Sequence, residues 1–369
     1  MDNFIKLIEP YISFNEVSGE IQDIFNSGRF TQGKNVEKFV KSLKAYTKSN
    51  YVGLTTSATT ALSLSLRVLG VRPGNLVGVA DYSWPASSNV IEEIGAIPEF
   101  IDIDPLTFNM SLSDLEKKID NGLSAVIFVD TFGNPSGLED IKKICSSKNI
   151  PLLEDGACAL GSEINGEKIG SISDITCFSF HPRKLLNTGE GGAIMTNKKD
   201  IQDILKIKLS AGSSGKKDVG LEFSDYGFNY RLTEIQSLMG WKQLDNIDQI
   251  ISERNIIKDF YIEHLKEIGF IPQKINQNIK HNVQSVVFRV PESVKRNDLV
   301  KFLYENKIES TLGTYSLSAT SYNKKKYNKV QKNSQKLESE AITLPCYRGL
   351  DPEPIIKKIK DFSKISSKN

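Results

Sequence analysis

Between about residue 50 and residue 200 the chain alternates short β-rich apolar runs with helical stretches: YVGLTT, a helix from Ala58 to Leu69, LVGVA, a helix from Ala86, IPEFIDI, SAVIFVD, a helix from Leu138, IPLLED, ITCFSF and GAIMTN. Crossover helices that separate consecutive strands also cover both faces of the sheet, so the strands should run largely parallel and be buried on both sides. The expected fold is therefore α/β. With 369 residues the chain exceeds what one core usually holds, roughly 250 to 300 residues, and two lobes are expected.

The boundary falls near DYGFNYRLTEIQSLMGWKQLDNIDQI, which reads as a loop opening long amphipathic helices. Thr233 suits the N-cap, and Leu238, Trp241, Leu244 and Ile247 follow at helical spacing. This gives a large domain over residues 1–250, with a mostly parallel sheet flanked by helices, and a small α+β domain over 251–369. The second contains SVVFRV, a polar helix from Arg296 to Asn306 and a closing helix from Glu353 to Phe362. The Lys- and Asn-rich stretch from Tyr322 to Lys336 reads as a solvated face or loop.

Charge excludes several partner classes. Lys+Arg at 47 against Asp+Glu at 45 leaves +2, which favours small-molecule ligands over nucleic acid or an anionic membrane. The four cysteines show no CxxC pairing and no histidine at ligand spacing, so reduced thiols are expected and no metal. MDNFIKLIEP lacks a basic segment followed by an apolar run, and no stretch approaches the ~18 apolar residues of a membrane span. A cytoplasmic protein is expected.

Ligands of doubly covered sheets gather at the carboxyl ends of the strands. Four features fall there. In FSFHPRKLLNTGEGG an apolar strand runs into Lys184 and a glycine turn; a partly desolvated lysine at such a point can condense with an aldehyde, although a surface lysine before a turn would look the same. Asp155 ends IPLLED, where a carboxylate could hold a protonated pyridine nitrogen or simply cap a helix. In LTTSATTALSL, Ser57, Ala58 and Thr59 form a small-residue turn into a helix whose free amides suit a phosphate. Trp84 of DYSWPAS could stack on a flat heteroaromatic ring or pack in the core.

In this order, these features resemble the DegT/DnrJ/EryC1/StrS family of sugar aminotransferases, fold type I enzymes that use pyridoxal 5′-phosphate (PLP). The likeness runs from SGRFTQGKNVEKF through TSATTALSL, EDGACALGS, FSFHPRK and TGEGG to FNYRLTEIQ and LPCYRGL. It implies that Lys184 holds the cofactor and moves the proton, that Asp155 faces the ring nitrogen and that Trp84 stacks on the ring. It further implies that Ser179, Ala58 and Thr59 bind the phosphate. Asn229 of FNYR would reach the neighbouring subunit's phosphate, giving a homodimer with shared active sites. Cys158 stands where many members have Gln or His beside the ring hydroxyl, and a thiol is a poor hydrogen-bond partner. Phe30, Thr31 and Gly33 of FTQG, Glu190 of TGEGG and Tyr315 of GTY resemble substrate-side residues, while His181 fits either a substrate contact or a packed position.

The resemblance implies a reaction in two halves, with an amino acid such as glutamate as donor, pyridoxamine phosphate (PMP) between the halves and a keto-deoxysugar nucleotide as acceptor, in the setting of surface polysaccharide or other amino-sugar synthesis. A keto-cyclitol acceptor and a regulatory, non-catalytic protein of the same fold are the rival readings. Lys184 opposes a third, the dehydratase branch in which histidine takes that position.

Overall fold

A computed structural model describes residues 4–366; residues 1–3 and 367–369, the outer ends of the two expected lobes, lie outside the described residues. Seven strands make the central sheet: β1 (Tyr51–Thr55), β2 (Leu76–Ala80), β3 (Ile97–Ile101), β4 (Leu123–Val129), β5 (Leu152–Asp155), β6 (Ile175–Ser179) and β7 (Gly192–Thr196). Their order is β1-β7-β6-β5-β4-β2-β3. Only β7 opposes the others, pairing antiparallel with both β1 and β6. The segment 180–191 that joins β6 to β7 contains no helix to cross over with, so the chain turns back beside the strand it has just left.

Alternation along each strand builds two apolar layers. Val126 and Phe128 join Phe39, Leu138 and Leu186 on one face, whereas Ala125 and Ile127 join Leu62, Leu66 and Leu153 on the other. This is the doubly covered sheet that the apolar runs imply. The helix Ala58–Val68 lies across the second face and begins at the end of β1, with Ser57 accepting from the Thr60 amide as its N-cap.

A second, antiparallel sheet is formed by β8 (Ile271–Pro272), β9 (Val286–Arg289), β10 (Thr311–Leu312) and β11 (Ala341–Leu344), in the order β8-β9-β11-β10. Val286, Phe288, Ile342 and Leu344 pack there with Ile257, Tyr261 and Leu265 of the helix Ile247–Lys266 and with the closing helix Glu353–Ser366. N-terminal residues, expected with the large domain, pack beside this second sheet: Ile5 N–H donates to the Lys307 carbonyl at 2.8 Å and Leu7 N–H to Glu309 at 2.7 Å.

Arg254 of the long helix is wholly buried. Its guanidinium donates to the carbonyls of Val283 (2.7 Å), Gln284 (2.9 Å) and Cys346 and to the Tyr11 hydroxyl (3.0 Å), so the buried charge is compensated by oxygens from three chain segments.

Some local structure differs from expectation. The Lys-rich stretch is largely solvated, as expected, but as two short helices, Ser321–Tyr327 and Lys332–Glu340. Tyr82–Ser83 and Tyr315–Ser316 form a two-residue ladder that ties the first lobe's sheet edge to the C-terminal part of the chain. Neither is visible as periodicity, because the stretches are too short and their partners lie far away in sequence.

Candidate active site

A cavity of about 540 Å³, inside the ~300–1,000 Å³ usual for small-molecule sites, opens where the carboxyl ends of β1, β4, β5 and β6 meet segments in and beside the second sheet. Lys184, Asp155, Cys158 and Trp84 line it, as do Ser57, Ala58, Thr59, Ser179, His181 and Glu190. The tertiary fold thus gathers ten of the residues singled out from sequence around one space.

At one end the lining is a helix start. Ser57 caps the helix Ala58–Val68 by taking the Thr60 amide at 3.1 Å, and no acceptor among the described residues takes the Ala58 and Thr59 amides. Helix N-termini present such amides together with a favourable dipole. The turn lies against β7: a Cβ on Gly192 would stand 2.5 Å from the Ser57 carbonyl carbon and 2.7 Å from the Ala58 nitrogen. Glycine is required there for close approach. Gly192 pairs with Thr55 on one side and Ser179 on the other, which brings the Ser179 hydroxyl to the same end.

At the other end Asp155 terminates β5. Its carboxylate accepts from the Ser87 hydroxyl at 2.7 Å and from the Ala157 amide at 3.2 Å. Burial pushes its carboxyl above the usual range, while Ser87, Ala157 and the nearby Lys184 favour the ion. Lys184 follows a turn closed by its own amide donating to the His181 carbonyl (2.8 Å), and its Nζ donates to the Cys158 sulfur at 3.0 Å. Burial lowers the His181 imidazole below its ordinary value, Glu190 opposing. Trp84 leaves 63% of its surface open, and its ring meets Tyr315 edge-on at 5.7 Å.

An amine, an acid and an indole therefore surround a space whose far end offers two unpaired amides. The DegT/DnrJ/EryC1/StrS aminotransferase family matches residues 13–362. The chain belongs to it. Among relatives in this family, GDP-perosamine synthase of Escherichia coli O157:H7 is 29% identical over 99% of both chains. The UDP-4-amino-4,6-dideoxy-N-acetyl-β-L-altrosamine transaminase of Campylobacter jejuni (strain 81-176) is 28% identical over 87% of both. The PLP form of Spr1654 from Streptococcus pneumoniae superposes with a TM-score of 0.88 at 27% identity, covering 99% of each chain.

The protein is accordingly a PLP-dependent aminotransferase. The residues of the cavity fit the cofactor: Trp84 would offer an indole face to a flat ring, Asp155 a buried acid to its nitrogen, Lys184 a primary amine to its aldehyde, and the glycine-backed helix start free amides to its phosphate.

Five singled-out residues stand outside the cavity of this chain. Asn229 is exposed, in a loop away from it. The FTQG segment packs on the NYRLTE segment instead: Thr31 bridges Thr233, the Phe30 carbonyl accepts from the Glu234 amide, and Gly33 N–H donates to the Glu234 carboxylate at 2.7 Å. Glu234 also takes the Asn35 and Val36 amides, so it caps the helix Lys34–Thr47 and leaves Gly33 no room for a side chain. Tyr315 stands just behind the lining, its ring against Trp84 and its backbone paired with Ser83.

Sequence reasoning missed Ser87, which orients Asp155, and Asp130, which lines the cavity with both carboxylate oxygens unpaired. Asp130 follows SAVIFV directly as Asp155 ends IPLLE, so the same strand-end signal was available. Among the described residues no three His, Cys, Asp or Glu side chains gather as metal ligands, and no helix is long and apolar enough to cross a membrane.

Proposed function

We propose that this aminotransferase moves an amino group from glutamate to the keto carbon of a deoxysugar nucleotide, in the cytoplasm, for surface polysaccharide or other amino-sugar synthesis. The observation that carries the reading is the cavity itself, lined by Lys184, Asp155 and Trp84 together. Support for the acceptor class comes from the relatives, named for GDP-perosamine and for a UDP-linked amino sugar.

Bound PLP supplies an aldehyde that takes the amino group and a ring that delocalises the electrons left when a proton departs. Asp155 would hold a proton at the ring nitrogen through its carboxylate, fixed by Ser87. Lys184 Nζ would anchor the cofactor and, once released, carry a proton between the substrate carbon and the cofactor, leaving its present contact with the Cys158 sulfur. Ala58, Thr59 and Ser179 would hold the phosphate, and Trp84 one face of the ring.

A homodimer completes this reading. The exposed position of Asn229 suits a residue that serves a neighbouring subunit, and the same region carries Val219, 93% exposed, with Leu221, Phe223 and Tyr226 also open.

The test is incubation of the PLP-loaded protein with glutamate and a panel of GDP-, UDP- and TDP-linked 4-keto-6-deoxyhexoses, followed by mass analysis. A gain of one amino group on at least one sugar is expected. Lys184→Ala should lose that turnover by at least ~10³-fold together with the visible absorbance of lysine-bound cofactor. Conversion of the cofactor to PMP by glutamate without amination of any sugar would refute the acceptor class, and absence of both reactions would refute the whole reading.

A further inference from the structure

Trp84 lines the site and its ring meets that of Tyr315 just behind the lining, yet the two come from distant parts of the chain, and the ladder joining their segments is two residues long. So short a pairing is marginal alone. Behind it lies Asp81, entirely buried and absent from the cavity lining. Its carboxylate accepts from Ser316 Oγ at 2.9 Å, Ser318 N at 2.7 Å, Ser318 Oγ at 2.8 Å and Ser334 Oγ. Its own carbonyl accepts from the Leu317 amide at 2.7 Å, and the next residue, Tyr82, accepts the Thr314 amide on its hydroxyl at 3.2 Å.

Every side-chain partner of Asp81 thus belongs to the segments 316–318 and 334. A buried carboxylate persists only where donors replace water, and here all its donors come from the part of the chain that presents Tyr315.

We infer that Asp81 is a positioning residue of this enzyme, a latch that holds the Gly313–Ser318 segment on the strand end carrying Trp84 and so sets the width of the acceptor-sugar side of the site. The inference rests on the proposed sugar-nucleotide reading. Burial raises the Asp81 carboxyl to about 7, the four hydrogen bonds opposing, so the latch gains a proton and loses its charge-assisted bonds as pH falls through that value. Of the charged groups on the elements packed around it, Asp102 takes the Asn333 and Ser334 amides and Glu338 the Ser316 amide, while Lys332, Lys336 and Glu340 share the helix that carries Ser334.

The test compares Asp81→Asn with the wild-type holoenzyme, using the best acceptor of the panel above. Expected are a rise in acceptor KM of about tenfold or more, a glutamate half-reaction within about twofold, and loss of the wild-type rise in KM below pH about 7. In a Trp241→Phe background, where Trp84 is the remaining tryptophan, Asp81→Asn should raise the acrylamide quenching of this already open ring and lower its emission anisotropy, because its contact with Tyr315 loosens. An unchanged KM with unchanged quenching overturns the latch, and so does equal loss in both half-reactions, which would mark a merely structural residue. If wild-type protein aminates no member of the panel, the substrate reading falls and quenching alone decides the latch. Should Asp81→Asn not fold, Ser316→Ala with Ser318→Ala removes two donors and serves the same comparison.

Discussion

Lys184 Nζ donates a hydrogen bond to the Cys158 sulfur at 3.0 Å, so the reactive amine of the free site rests on a thiol rather than on an acid. Sulfur is a weak acceptor, and the contact gives way at small cost when an aldehyde arrives. The same closeness makes Cys158 a reporter. Cys145, Cys177 and Cys346 are buried, and burial raises each of their thiols, Cys145 to about 12, which keeps them unreactive. Iodoacetamide should therefore modify Cys158 first and block PLP loading, while prior loading should protect it. Peptide mass mapping decides; first modification at a buried cysteine would show that the cavity is closed to solvent.

Asp155→Asn removes the charge proposed to face the ring nitrogen but keeps the side chain's shape. The glutamate half-reaction should fall by about 10²–10⁴-fold, with the cofactor still attached to Lys184 in the visible spectrum. Ser87→Ala deletes the donor at 2.7 Å and should lower stability by about 1.5–3 kcal/mol in urea titrations at neutral pH. Equal activity of Asp155→Asn and wild type in single-turnover kinetics would remove Asp155 from the mechanism.

Asp130, Glu154 and Asp155 crowd one buried corner with donors unevenly shared. Glu154 accepts from Thr176 Oγ1 at 2.6 Å and Asp155 from Ser87 and Ala157, whereas both Asp130 oxygens lack a donor. Burial first, then the charge of Glu154, the proton that Asp130 can share with it and the charge of Asp155 push the Asp130 carboxyl well above the usual range. Its folded value lies above its unfolded one, so the unfolded chain releases this proton first. Stability should decline as pH rises from the ordinary carboxylate value of about 4 toward the folded one. Asp130→Asn, which cannot ionise, should have the higher Tm, by a margin that widens with pH. Scanning calorimetry between pH 5 and 8 gives the comparison, and a margin that shrinks with pH would mean that Asp130 is ionised in the native state.

Gly192→Ala would drive a methyl group into the turn that presents the Ala58 and Thr59 amides, 2.5–2.7 Å from backbone atoms of Ser57 and Ala58. Those atoms cannot yield as a flexible side chain could, so the amides must move. PLP affinity should drop at least tenfold, and a larger loss is expected for PLP than for pyridoxal, which has no phosphate. Equal loss for the two ligands would place the phosphate elsewhere.

Much of the site was legible because its residues obey local rules. Lys184 and Asp155 announce themselves as charged residues at the ends of apolar strands, and Thr233 announces its helix by the capping box it forms with Gln236. Gly33 shows the limit of such reasoning. Its motif suggests a substrate loop, but a buried carboxylate two hundred residues away, Glu234, claims its amide and fills the space where a side chain would stand.

The sequence by itself determined the doubly covered α/β sheet and the group of residues at its carboxyl edge, because alternation and strand-end chemistry are written in neighbouring positions. Tertiary structure alone decided that Asp81 would meet serines from the far end of the chain, that Asp130 would be left without a donor and that β7 would run backward. Those outcomes depend on which groups compete for the same buried space and hydrogen bonds, and that competition exists only once distant segments have packed.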